Sequence, residues 1–158
     1  MYRFFIALVL VLALAVPIIG WPIHAQSQHP QSQAEFEEQI ELAQDQIYLQ
    51  KMYGQYNHKY FDDKLPKDTQ VHFVEHVKLS DLAEGDTLPP RFTGNPTYVI
   101  EISYVWNPQG NEALMTLFHE MCHVYLEQTK PDYHGDHDAD FQRLMIGLAD
   151  QHAFDDLW

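Results

Sequence analysis

The chain has 158 residues, 46% of them apolar and 13% aromatic, and a formal net charge of −14 at pH 7. That length suits one domain with a sizeable core, and the composition excludes a disordered or low-complexity chain. The acidic balance repels phosphate backbones and anionic headgroups, which argues against nucleic acid and lipid surfaces as partners; Cys122 stands alone, so no intramolecular disulfide can form.

Residues 1–25 carry a single charge, Arg3. Phe4 to Val16 is an unbroken apolar run, Pro17 follows, and the stretch closes near Ile23-His24-Ala25, with a small residue where a signal peptidase would cut. This is a secretory signal pattern, and it predicts an exported protein, periplasmic or secreted. The competing expectation is an uncleaved membrane anchor over about residues 4–21, because the apolar stretch approaches the roughly 20 residues a span needs. Residues 26–33 are polar with one Pro and predict a flexible linker, which leaves 34–158 as the folded domain.

From Ala34 to about Phe61 the apolar residues fall at Phe36, Ile40, Ala43, Ile47, Met52, Tyr53, Tyr56 and Tyr60, which is helical spacing. Gly54 leaves open whether this is one bent helix or two, and Asp62-Asp63-Lys64-Leu65-Pro66 ends it. Val71 to Val77 predicts a strand. Residues 80–97 hold Gly85, Pro89, Pro90, Gly94 and Pro96 and predict an irregular connection. Tyr98 to Trp106 alternates, with Tyr98, Ile100, Ile102, Tyr104 and Trp106 on one face and Val99, Glu101, Ser103 and Val105 on the other, so a strand is expected. Asn107-Pro108-Gln109-Gly110 is a turn. Asn111 then caps a helix to about Thr129, with Leu114, Leu117, Phe118, Met121, Val124 and Tyr125 inward and Pro131 just beyond its end. A last helix is expected from about Asp138 to His152, with Phe141, Leu144, Met145 and Leu148 inward. Helices on a small sheet make an α+β domain.

The helix expected from Asn111 to about Thr129 carries His119-Glu120-Met121-Cys122-His123. Positions i and i+4 share a helix face, so the two imidazoles can hold one metal ion, with Glu120 beside it as a base. A catalytic zinc ion usually has three protein ligands. An elongated motif with its third His six residues on would need it at Thr129, which cannot serve, and no Glu follows Glu127. The third ligand must come from Tyr133-His134-Gly135-Asp136-His137-Asp138-Ala139-Asp140, where His134 and His137 both qualify. Glu127 shares the face of His123 and is expected to be a solvated helix end, with orientation of a ligand as the alternative. Cys122 is expected to be a small core residue. His58, His72, His76 and His152 are scattered and are expected at the surface or in the core.

Phe118-His119-Glu120-Met121-Cys122-His123, a loop, and then His137-x-x-x-Phe141-x-x-x-Met145 resemble the SprT-like zinc metalloprotease domain, the family that includes the Spartan proteases. Tyr56-Asn57-x-x-Tyr60-Phe61-x-x-x-Leu65-Pro66 resembles the family's N-terminal signature, and the likeness covers about residues 45–150. The resemblance implies a small zincin-like metalloprotease fold, Zn2+ on His119, His123 and His137, Glu120 as general base, and Phe141 and Met145 packing the last helix on the metal helix. His137 fits better than His134 because the family's third His precedes a Phe by four positions. The chain departs from the family at Asp138, where Gly is usual, and has no Cys-rich zinc-ribbon tail. Family members are mostly intracellular and some act on proteins crosslinked to DNA, a role that an exported, acidic chain does not fit.

The function expected is therefore that of a zinc-dependent metalloendopeptidase, hydrolysing protein or peptide substrates through a zinc-activated water. The strand Tyr98–Trp106 is expected to offer an edge on which an extended substrate pairs. The rivals are a non-catalytic zinc-binding or interaction domain and a metal-dependent amidase acting on cell-wall peptides. Glu120 weighs against the first, because a structural site needs no base.

Overall fold

The computed structural model of the protein describes residues 33–78, 83–94, 96–108, 110–135 and 137–157. The expected signal or anchor segment and the linker up to residue 32 lie outside the described residues. Among the described residues no helix is long and apolar enough to cross a membrane. The elements run α1 (Gln33–Tyr60), β1 (Gln70–Val74), β2 (Gly85–Leu88), α2 (Pro90–Thr93), β3 (Val99–Ser103), α3 (Gly110–Thr129) and α4 (Ala139–Asp150), closed by a 3-10 turn at Asp155–Leu157. Four helices on a three-stranded sheet make the α+β domain that the sequence predicts.

Helix α1 is one continuous helix, with Gly54 on its exposed side. Only its C-terminal half is buried, through Leu49, Tyr53 and Asn57, four residues apart along one face. The apolar residues Phe36, Ile40 and Ile47 lie on the opposite face at 100° per residue and are exposed, so this stripe is not part of the core.

The strand order is β1-β3-β2. β3 pairs in parallel with β1, from Gln70↔Val99 to Val74↔Ser103, and antiparallel with β2, from Gly85↔Ile102 to Leu88↔Val99. This corrects two expectations. The strand read as a substrate-binding edge is the central strand, and Tyr104, Val105 and Trp106 leave it as a turn. The segment read as an irregular connection contains a true edge strand, β2, and the short helix α2. The reason is burial on both faces of β3: Val99, Ile100, Ile102 and Ser103 are all enclosed, which suits a strand flanked on both sides. β1 is also shorter than expected, ending at Val74 rather than Val77.

Helix α3 fills the centre. Leu117, Phe118, Met121, Cys122 and Val124 are fully buried against α1, the sheet and α4. Phe118 stacks on Tyr56 at 4.0 Å between ring centroids and meets Phe154 edge-on at 5.3 Å.

The turn between α1 and β1 is held by buried polar groups. Asn57 donates from Nδ2 to the Leu65 carbonyl and accepts from the Leu65 N–H, both at 3.0 Å. The Tyr53 hydroxyl donates to the Pro66 carbonyl at 2.9 Å and shares a 3.0 Å hydrogen bond with the Thr69 hydroxyl. Gln50 does the same for the edge of β1, accepting from the Val71 N–H at 2.9 Å and donating to the Thr69 carbonyl at 3.1 Å. Replacing Asn57 with Ala leaves both Leu65 groups without that partner and should lower the unfolding free energy by about 2–3 kcal/mol in a denaturant titration.

Candidate metal centre

The i, i+4 spacing does its work in α3: His119 Nε2 and His123 Nε2 lie 3.2 Å apart. The third ring is delivered by a chain reversal after the helix. Tyr133 N–H bonds the Lys130 carbonyl at 3.0 Å, Gly135 adopts φ +84°, which an L side chain rarely takes, and α4 begins at Ala139. Lys130 Nζ pairs with Asp140 Oδ2 at 2.8 Å and ties the two ends of the reversal. His137 Nε2 then lies 2.8 Å from His119 Nε2. Ligand atoms of His119, His123 and His137 all fall within 4.8 Å of one another. His134 is exposed and not part of the cluster.

The residue after the third histidine, Asp138, caps α4. Its Oδ1 accepts from the Asp140 and Phe141 N–H groups at 2.9 and 3.0 Å. A cap at this point fixes the start of α4 two residues after His137, so the departure from the family's Gly has a structural use. Phe141 packs its ring 4.7–4.8 Å from all three imidazoles, and Met145 Sδ lies 3.5 Å from Cys122 Sγ. Both therefore join α4 to α3 as the resemblance implies, and Cys122 is the core residue expected, its thiol pushed up by burial.

The donor set suits a borderline metal ion. Burial, with His137 nearby, pulls His119 down to about 4; burial, with His119 and His137, pulls His123 down to about 3. Both rings are thus neutral at neutral pH, the state in which imidazole is a ligand. Two nitrogens on a tetrahedral ion at about 2.0–2.1 Å would lie roughly 3.3 Å apart, close to the 3.2 Å and 2.8 Å seen here. His123 Nδ1 is hydrogen-bonded to the Tyr133 hydroxyl, which occupies the back of the ring and leaves Nε2 facing the other two. Tyr133 is thus placed to orient His123.

Glu120 is buried among β2 and α3. Its Oε2 accepts from the Thr87 hydroxyl at 2.8 Å, and the same hydroxyl lies 3.1 Å from its main-chain carbonyl. Burial pushes the carboxyl up to about 8, opposed by the Thr87 hydrogen bond and reinforced by Asp86. A bound dication would act the other way and favour the carboxylate. β2 approaches so closely that a Cβ on Gly85 would sit 2.5 Å from Thr116 Cγ2 and 2.9 Å from Glu120 Oε1. Asn107 anchors this approach, donating to the Glu84 and Ser103 carbonyls at 2.9 and 2.8 Å while accepting from the Thr116 hydroxyl at 2.7 Å. Two cavities adjoin the site, of about 680 and 170 Å3, and Gly85, His119, Glu120 and His137 line both.

Gly85, Thr87, Asn107 and Tyr133 were not assigned these roles from sequence. Thr87 meets a residue 33 positions away, and only Gly85, in a short run without alternation, hinted at a close approach. Glu127 is neither a solvated end nor a ligand's support: its carboxylate forms a two-pronged pair with Arg91 of α2, at 2.6 and 2.9 Å. Of the other histidines, His58 and His152 are exposed and paired with Asp63 and Asp155.

The fold and the three-histidine cluster define a zincin-like, metallopeptidase-type domain. The model of the SprT-like family matches residues 49–154, well over half of the chain, and the chain belongs to that family. No curated protein and no solved structure matches it.

Elemental analysis of the purified chain should find one zinc ion, lost from His119→Ala and from His137→Ala and retained by His134→Ala. Tyr133→Phe should keep the metal with about 10–100-fold weaker affinity, the usual cost of losing a ligand's orienting partner.

Proposed function

We propose that the protein is an exported zinc-dependent endopeptidase. The observation that carries this reading is a buried carboxylate, Glu120, beside three converging imidazoles in a cleft open on both sides. Zinc, when bound, supplies a Lewis acid that polarises the scissile carbonyl and makes water a stronger acid. The chain's own residues do the rest. His119, His123 and His137 present Nε2 lone pairs, and the Tyr133 hydroxyl, bonded to His123 Nδ1, keeps that ring turned with Nε2 toward the other two. Glu120 accepts a proton from the attacking water and returns it to the leaving amine, so the bond broken is C–N and the products are a carboxylate and an amine. Thr87 keeps that carboxylate in place.

The edge strand favours a peptide substrate. The Ser103 N–H bonds the Glu84 carbonyl, and in the antiparallel register the backbone groups of Gly85 and Thr87 therefore point away from β3. Among the described residues no strand pairs with this side of β2. An extended chain can bond there without regard to its side chains, which suits unfolded segments. Two cavities adjoin Glu120, and space beyond one of them favours cleavage within a chain over removal of a terminal residue.

Glu120→Gln should lower turnover on an unfolded protein substrate by about 10²–10⁴-fold while zinc content is unchanged. Turnover that persists in this variant overturns the assignment, and zinc bound without any turnover in the wild type leaves a non-catalytic zinc domain.

Export rests on the pattern of Arg3, Phe4–Val16 and Ala25. N-terminal sequencing of the protein recovered outside the cytoplasm should begin at residue 26. An intact N-terminus in the membrane fraction would mean an anchor instead.

A further inference from the structure

The larger cavity beside the histidines differs in character from the smaller one. Its lining includes Trp106, Met115 and Met145, together with Glu84 and Glu112. Trp106 is 45% exposed although it is among the largest apolar side chains of the domain. Met115 and Met145 are half-buried and pack on the core from α3 and α4. Methionine is flexible and polarisable, so a wall of two of them beside an indole adapts to apolar groups of different shape. At about 680 Å3 the cavity is within the range of ligand sites. Among the described residues, no Lys or Arg lines this cavity or the smaller one.

We infer that this cavity is the specificity pocket of the enzyme, and that its substrates are cationic extended segments carrying a large apolar side chain. The inference rests on the peptidase reading above and adds the class of substrate. The apolar side chain is seated on Trp106, Met115 and Met145, and Lys or Arg beside it faces Glu84 and Glu112. Desolvation of the apolar side chain supplies affinity, and the carboxylates select the neighbours by charge. Anionic segments are disfavoured, because Glu84 repels them and, among the described residues, no Lys or Arg lines either cavity.

The test is a digest of a mixed peptide library by the full zinc-loaded chain, with cleavage sites mapped by mass spectrometry. Leu, Met or Phe should be enriched at one fixed position next to the scissile bond, with Lys or Arg enriched within two residues and Asp or Glu depleted. Trp106→Ala should lower kcat/KM about tenfold or more for a peptide with Phe at that position and leave the matched Ala peptide nearly unchanged. Glu84→Lys should remove the preference for basic neighbours and leave the apolar one. Cleavage without side-chain preference, or a preference that both variants leave intact, overturns the inference while the peptidase assignment stands. A second readout separates the two. Fluorescence anisotropy measures binding of the labelled Phe and Ala peptides to zinc-loaded Glu120→Gln. If the wild type cleaves nothing but this variant binds the Phe peptide better, the pocket stands and the catalytic reading fails. If neither cleavage nor selective binding occurs, both fall.

Discussion

Three imidazoles whose ligand atoms lie within 4.8 Å of one another are the constraint on which the rest of this structure depends. Two come without effort from a helix, because His119 and His123 are four residues apart. The third does not, and the chain after α3 is organised to supply it. Thr129 ends the helix, Tyr133 turns inward onto His123, Gly135 takes a left-handed conformation, and the Asp138 cap starts α4 two residues after His137. Phe141 then closes the apolar side of the cluster. Each of these residues has a local reason for its conformation, and together they leave His137 at 2.8 Å from His119.

The second constraint is a buried carboxylate. A carboxyl group taken from water without partners is costly, and Glu120 has Thr87 as its hydrogen-bond donor. For Thr87 to reach it, β2 must lie almost on top of α3, and this explains why position 85 has no side chain. Asn107 in turn fixes the distance, because one side chain bonds the start of β2, the end of β3 and Thr116 of α3. The pair Arg91–Glu127 holds α2, at the far end of β2, to the last turns of α3. The edge strand is thus attached to the metal helix at three points along its length. The base and the backbone on which a peptide would pair are positioned by the same contacts.

What was legible in the sequence follows from how local each signal is. Helix α3 shows its period in Leu114, Leu117, Phe118 and Met121, and its chemistry in five consecutive residues. α4 shows Phe141, Leu144, Met145 and Leu148 at helical spacing, and the metal-binding histidines are recognisable because one lies at a fixed interval and another precedes Phe141 by four. β2 was not legible: Gly85-Asp86-Thr87-Leu88 contains one large apolar residue and sits between prolines and glycines, so neither alternation nor composition marks it. The neighbours of β3 were not legible either, since alternation identifies a strand but is silent on what lies at its two edges. The N-terminal half of α1 gave a signal that misled. Its apolar residues at 36, 40 and 47 have helical spacing but face away from the domain, whereas Leu49, Tyr53 and Asn57 define the buried side, and Asn57 is polar. Periodicity reports that a helix has an apolar face; only packing decides whether that face is used.

The centre and the walls of this site answer to different parts of the chain, and this separates the chemistry from the choice of substrate. The centre is built from α3 and the reversal after it, where a shift of any ligand would break the cluster. Glu112 and Met115 of the walls belong to α3 itself; the rest come from elsewhere: residues 83–85 ahead of and within β2, the turn Tyr104–Asn107, and Met145 of α4. None of these segments holds a ligand, so their side chains can change without disturbing the metal geometry, provided that Gly85 and Asn107 keep β2 in place. In this chain those segments carry acids, methionine and tryptophan, in a protein with a net charge of −14. A basic patch able to hold a phosphate backbone has no counterpart in either cavity among the described residues. The histidine-bearing helix is therefore what this chain holds in common with its family, whereas much of the wall is set by segments that hold no histidine of the cluster.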